Sequence, residues 1–176
     1  MDFSEFDSMD WKTAEAEKFA TYWRSLSSPG TIAHKSNFDP ASIPSLLPNI
    51  SIYEIRENGD VYCRLMGTGL AERFGHDYTG ESILSWWGEM GLEGLLRTFK
   101  TMSDQPCGVL TQTKAHTKTG LTFLNHSVGF PALNANDEAL LFVFYTTSVV
   151  SLERHYPKED KVHLVEVLDQ TMVSLD

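Results

Sequence analysis

Cysteine is scarce in this chain, with Cys63 and Cys107 the two present among 176 residues. Two thiols this far apart make neither a disulfide framework nor the closely spaced pairs that are typical of a zinc site. We therefore expect no metal site and interpret both cysteines as structural thiols in a reducing cytoplasm.

Positive charge is also in short supply, since 14 Lys and Arg residues face 24 Asp and Glu residues and the formal net charge is −10. Such a chain repels phosphate backbones. No cluster of Lys and Arg alternates with aromatic residues to make a local exception. The composition thus argues against direct nucleic-acid binding.

Long hydrophobic runs are missing as well. The longest, Ala139 to Val150, contains Thr146, Thr147 and Ser148 and is too short to cross a bilayer. The N-terminus, Met1 to Glu5, is acidic where a secretory signal carries positive charge and then an apolar stretch. We expect a cytoplasmic protein with no membrane partner.

The common catalytic signatures are absent too, among them Gly-x-Ser-x-Gly, a Walker loop, His-Glu-x-x-His and the kinase motifs. We expect a protein without enzymatic activity. One alternative stays open, a small cone-shaped α+β isomerase or dehydratase in which His126 and a carboxylate such as Asp104 serve as acid and base. A buried carboxylate facing His126 across a pocket would favour that enzyme.

The N-terminal third of the chain contains an amphipathic helix. Between Trp11 and Leu26, aromatic residues including Phe19, Tyr22 and Trp23 recur at helical spacing. This aromatic stripe must be covered, either by the same chain or by a second copy. We expect the helix to be a homodimer contact.

The rest of the chain alternates strands and helices in one order. A short helix follows the cap at Asp39-Pro40, and between Gly67 and Gln105 helical spacing mixes with glycines, which predicts several short helices and a longer one near 91–103. The predicted strands are Ile50 to Ile55, Val61 to Met66, Gly108 to Lys118, Leu121 to Phe130 and Ala139 to Val150. The fold class is α+β, with a five-stranded antiparallel sheet and a helical insert after strand 2. After Ser151 the pattern leaves strand and helix open.

This order of helices and strands resembles the PAS domain, and several short sequence motifs are similar to those of stand-alone, single-domain bacterial PAS proteins. The resemblance covers about residues 15 to 150 and rests on these phrases: Trp23-Arg24, Phe38-Asp39-Pro40, Leu46-Leu47-Pro48, Tyr62-Cys63-Arg64-Leu65-Met66-Gly67-Thr68 and Phe74-Gly75-His76-Asp77-Tyr78-Thr79-Gly80. It implies an N-terminal helical extension over 1–36, a PAS core over 37–150 and a C-terminal tail over 151–176.

The resemblance also implies a cavity between the inner sheet face and the helical insert. Strand alternation offers Leu124, His126 and Val128 from the fourth strand, and Phe142 and Phe144 from the fifth, although the alternation does not say which face looks inward. The helical insert and the strand that precedes it supply the remaining candidate ligand-binding residues. These are Phe74, Trp86, Trp87, Leu96 and Phe99 from the insert and Arg64 from the strand.

The sequence does not identify a cofactor. Haem-bearing relatives would need an axial ligand such as His76 or His116, for which no local pattern argues, and the insert lacks the cysteine of flavin photosensors. The leading hypothesis is a sensory or regulatory module that binds a small, partly apolar ligand or a protein partner and signals in trans. A purely structural interaction module is a further alternative.

Overall fold

A seven-stranded sheet forms the centre of the molecule, and its neighbouring strands follow the order β3-β2-β6-β5-β4-β7. The computed structural model describes residues 3–87, 89–134, 136, 139–149 and 160–176. The strands are β1 (Ala33–His34), β2 (Ile50–Ile55), β3 (Val61–Met66), β4 (Gly108–Thr117), β5 (Thr122–Leu133), β6 (Leu140–Val149) and β7 (Val162–Val173). All pairings along this order are antiparallel, whereas β1 lies parallel to the end of β5.

Three α-helices accompany the sheet: α1 (Ala14–Arg24), α2 (Thr68–Phe74) and α3 (Glu89–Asp104). Short 3₁₀ helices lie at Phe6–Ser8, Lys35–Asn37, Pro40–Ser42, Leu47–Asn49 and Ile83–Ser85. The α+β class, the five predicted strands and the helical insert after the second of them are confirmed. Val150, the last residue of the fifth predicted strand, lies outside the described residues, as do residues 151–159.

The C-terminal segment whose structure the sequence left open is the edge strand β7, which pairs along the whole of β4. Register shifts at Gln112/Thr113 and at His116/Thr117 interrupt this pairing. A bulge breaks the two-residue period of a strand, so that Val162 and Val165, three positions apart, are both buried. The three-residue spacing of Val162 and Val165 therefore fits a helix as well as it fits a strand.

Helix α1 packs on one face of the sheet and buries its aromatic stripe there. Phe19 is fully buried, Trp23 is 4% exposed, and the Trp23 ring stacks on Phe130 of β5 with 5.8 Å between centroids. Trp11, which precedes the helix, packs against the same phenylalanine. The chain's own sheet covers this stripe. A homodimer contact through α1 stays a prediction and would involve the outward side of the helix.

The opposite face carries α2, the 3₁₀ turn at Ile83–Ser85 and α3. Phe99 of α3 packs edge-on against Phe142 and Phe144 of β6, with ring centroids 5.3 and 5.7 Å apart. Phe144 lies flat over Gly129 of β5, where an added Cβ would come within 2.3 Å of its ring. This face of the sheet, with its helices, encloses the candidate site.

Local signals at the start of the insert act as their chemistry predicts. Gly75 ends α2 with a left-handed φ of 77°, which a side chain would strain. Asp77 accepts a hydrogen bond from the Thr79 amide, and the Thr79 hydroxyl accepts one from the Met66 amide. These contacts hold α2 and the following turn against the end of β3. None of the described helices is long and apolar enough to span a membrane.

Candidate functional site

A row of polar side chains crosses the insert-covered face of the sheet. Thr146 of β6 pairs with Ser127 of β5, Ser127 pairs with Thr111 of β4, and Thr111 pairs with Gln170 of β7. Because directly opposed residues on neighbouring strands point to the same side, these four side chains form one continuous line. We call them the polar row.

Further polar groups adjoin the polar row. Asn125 of β5 and Thr113 of β4 oppose each other two residues along these strands from Ser127 and Thr111. Ser51 lies on β2, on the other side of β6. Ser51, Thr111, Thr113 and Asn125 are all buried, with at most 7% of each residue exposed. A sheet face under a helix is usually apolar, so this many buried hydroxyl and amide groups demand hydrogen-bond partners.

The protein supplies some of those partners. The Ser127 and Thr146 hydroxyls lie 2.8 Å apart, and the Asn125 amide lies 3.5 Å from the Thr113 hydroxyl. At the end of the row Gln170 donates to the hydroxyl of Thr98 on α3. The polar row is thereby linked to the helix that covers it.

Above this floor lies a small divided cavity. Its two lobes have volumes of about 60 and 50 Å³ and share Ser51, Tyr53, Trp87, Thr113, Ser127 and Thr146 in their walls. Leu95 and Phe99 of α3 form the apolar roof of one lobe, and Phe144 of β6 adds an apolar wall. We call this space the inner cavity, and its volume is enough for a few water molecules or a small ligand.

Arg73 of α2 lies at one end of the inner cavity. Its guanidinium donates to Asn49 Oδ1 at 2.7 Å and to the carbonyl of Thr146 at 3.3 Å, while its Nε donates to the carbonyl of Gly69. Arginine presents several donors in a rigid plane, so these bonds fix its orientation beside the polar row.

Tyr53 contributes a hydroxyl from the β2 side of the inner cavity. Burial raises the pKa of this phenol well above its ordinary value, with a further rise from Cys63 and a smaller opposing effect from a hydrogen bond with Ser51. Tyr53 is therefore a neutral phenol at physiological pH. It offers the cavity a hydrogen-bond donor rather than a charge.

The structure brings four of the predicted site residues to the inner cavity: Phe74, Trp87, Phe99 and Phe144. Leu96 and Phe142 belong to the apolar cluster on the same face without lining either lobe. Trp86 lines a separate pocket at the surface, described below.

Leu124, His126 and Val128 lie on the opposite face, so the expected shared wall with Phe142 and Phe144 is wrong. In the β5–β6 pairing, Phe144 opposes Gly129 and Phe142 opposes Pro131, so the odd-numbered residues of β5 share the face of those phenylalanines. The even-numbered ones point toward α1, where Val128 is fully buried and Leu124 is 37% exposed.

The surroundings of His126 weaken the enzyme alternative. Its Nε2 lies 3.2 Å from the side-chain amide of Gln112 on the α1 side, and burial, then the charge of Lys12, lowers its pKa. The proposed partner Asp104 ends α3 on the other side of the sheet, in an exposed pair with Lys100. These two residues do not form an acid–base pair.

Arg64 is placed at the surface rather than at the site. Its guanidinium lies 3.1 Å from the Glu54 carboxylate on the neighbouring strand, and the Arg64 side chain is 52% exposed. Arg73 of α2 is the cation that lines the inner cavity.

Sequence reasoning missed the polar floor of the inner cavity. The signal was available in β4, whose even positions Gln112, Lys114 and His116 are long and polar while its odd positions are short. Long polar side chains mark the solvent side of a strand, so the odd positions, including Thr111 and Thr113, face inward. Because Thr113 pairs with Asn125, the odd-numbered residues of β5 face inward as well.

Comparison with known proteins adds one positive finding. A family model described as PAS domain matches residues 11–142, from just before α1 into β6. The search of curated proteins returned no match. The matched region contains the insert and two residues of the polar row, Thr111 and Ser127, whereas Thr146 and Gln170 lie beyond it.

Proposed function

The chain belongs to the PAS domain family, and on that premise we propose that it is a non-catalytic sensory or regulatory module that binds a small ligand in the inner cavity. The family match supports a sensory role in general terms. The ligand, its contacts and the route of the signal are our proposals.

The observation that carries the proposal is the polar row beneath an apolar roof. Thr111 is buried and the other three residues of the polar row are half-buried, and placing polar groups under a helix costs desolvation free energy that apolar residues would not. Ser127 and Thr146 bond to each other and Gln170 bonds to Thr98, but each hydroxyl can make up to three hydrogen bonds. A ligand with several hydrogen-bonding groups would use the capacity that these contacts leave.

The same geometry describes the ligand. Its polar edge would contact Ser127, Thr111 and Thr113, while its other side would lie against Phe99 and Phe144. The ligand is thus small and partly apolar, with donors and acceptors along one edge.

The signal would leave the inner cavity through α3 and β7. Gln170 and Thr98 join the polar row to α3, and α3 packs along β7, the edge strand. We propose that ligand binding shifts this contact and that a protein partner in the cytoplasm detects the shift in trans. A second copy at α1 is one candidate partner, although the outward side of α1 is polar, with Glu17, Lys18 and Thr21 exposed.

Native mass spectrometry of freshly purified protein tests the binding proposal. We expect the wild type to hold a small molecule, directly or after incubation with a protein-free cell extract. Ser127→Val removes a central hydroxyl and narrows the inner cavity, so we expect it to lose that mass. Thr122→Val, an exposed change on the same strand, is the matched control and should retain it.

The same spectra report the oligomeric state. Wild type that takes up nothing from the extract, or a bound mass that survives Ser127→Val, would reject the inner cavity as the ligand site. Spectra of a monomer at all concentrations would remove the second copy as partner.

A further inference from the structure

A second pocket lies at the surface, between the insert and the start of β7. Its volume is about 210 Å³, and its walls include Phe74, Tyr78, Trp86, Trp87, Lys118 and His163. We call it the outer pocket. It is smaller than a drug-sized site, which restricts an occupant to a small molecule.

Aromatic rings build one wall of the outer pocket. Tyr78 stacks on Trp86 with 4.3 Å between ring centroids, Phe74 meets Trp86 edge-on at 5.5 Å, and Trp87 packs beside Trp86 at 5.3 Å. Such a wall favours a flat apolar ring, which makes stacked or edge-to-face contacts with little loss of freedom.

The two tryptophans also have unused donors. Among the residues that the structure describes, no acceptor lies within hydrogen-bond distance of Trp86 Nε1 or Trp87 Nε1, although both atoms are buried. A buried indole N–H without a partner is uncommon and costly. A ligand that brings acceptor oxygens would relieve this cost.

Charge selects the sign of the occupant. Lys118 and His163 line the outer pocket in a protein whose net charge is −10, so this mouth departs from the overall field. The nearby Asp160 carboxylate accepts hydrogen bonds from Thr117 and Thr119. An aromatic cage for a cation requires the reverse arrangement, since Lys118 would repel a cationic guest.

We propose that the outer pocket is a second binding site, distinct from the inner cavity, for a small aromatic carboxylate. The ring lies against the Trp86 side of the pocket, and the carboxylate lies near Lys118. Phe74, Trp87, Val162 and Val165 line both spaces, so they are the contacts through which one site adjoins the other.

Benzoate is the probe for this proposal, and the four indole N–H signals of ¹⁵N-labelled protein are the measurement. We expect benzoate to shift the assigned signals of Trp86 and Trp87. Trp11 and Trp23 are buried under α1 on the opposite face and provide an internal control that should not move. Benzamide, which has the same ring without the charge, should bind more weakly.

Lys118→Gln tests the charge. We expect it to weaken benzoate binding roughly two- to fivefold, the range of an exposed ion pair, and to leave benzamide binding unchanged. Lys100→Gln, on the exposed side of α3, is the matched control. Unshifted Trp86 and Trp87 signals at millimolar benzoate, equal binding of the two probes, or an unaffected Lys118→Gln variant would each overturn the proposal. The inner cavity could still bind its own ligand in any of these cases.

Discussion

Removing the paired hydroxyls of Ser127 and Thr146, at the β6 end of the polar row, tests whether the row is kept for ligand binding or for stability. Ser127→Ala deletes the partner of the Thr146 hydroxyl, which lies 2.8 Å away. The orphaned hydroxyl then costs about 1–2 kcal/mol of unfolding free energy. The double variant Ser127→Ala/Thr146→Val removes both partners at nearly constant volume, and such paired replacement is close to neutral or stabilising.

We therefore expect the double variant to be at least as stable as Ser127→Ala, with a coupling of about 1 kcal/mol between the two sites. The assay is urea unfolding followed by circular dichroism, in which an unchanged slope allows the midpoint shift to be converted into free energy. Native mass spectrometry on the same samples should show the ligand lost from the double variant. Stability gained with binding lost is typical of residues kept for function.

One outcome would refute this reasoning. If the double variant loses more than about 2 kcal/mol, as when a buried hydrogen-bond network breaks, the hydroxyls hold the sheet together and the argument from their cost fails. Thr122→Val, at the exposed start of β5, is the control and should change the unfolding free energy by less than about 0.5 kcal/mol.

Two further predictions concern the packing and the acid stability of the fold. Trp23→Ala removes the ring stacked on Phe130 and should lower the unfolding free energy by about 3–5 kcal/mol. Thr21→Ala, an exposed change on the same helix, is the control and should not lower it. A Trp23→Ala protein that keeps its stability but loses self-association would contradict the burial of α1. Burial acts to raise the pKa of Asp160, but hydrogen bonds from Thr117 and Thr119 outweigh it and the pKa is lowered. The Asp160 carboxylate therefore stabilises the fold above about pH 4, and this effect is lost as the pH falls through its folded pKa. The difference in unfolding free energy between wild type and Asp160→Asn, measured by urea unfolding, should become smaller in acid. A difference that does not change with pH would show that the carboxylate charge is irrelevant.

The order of helices and strands predicted much of the inner cavity's position. Its polar lining depends on which alternate residues of each strand face inward. The insert residues Trp87 and Phe99 were predicted to face the sheet and do so. For β5 the choice of inner face was open, and the even-numbered set with His126 proved to lie under α1. The neighbouring strand β4 held the information, because Lys114 and His116 mark its outer side.

Other features depended on contacts distant in sequence. The strand character of β7 was hidden because two bulges against β4 put Val162 and Val165 on one face. The covering of the α1 stripe could not be predicted either, since a helix with an aromatic face packs equally well on its own sheet or on a second copy.

The sequence by itself determined the type and approximate position of most helices and strands before residue 150, because caps, turn residues and hydrophobic period act over a few neighbouring residues. Asp39, Gly75 and Thr79 illustrate this local control. Only the tertiary structure decided which side of the sheet forms the inner cavity and which side receives α1. Alternation along a strand is symmetrical between the two faces, so that choice depends on which helix each face buries.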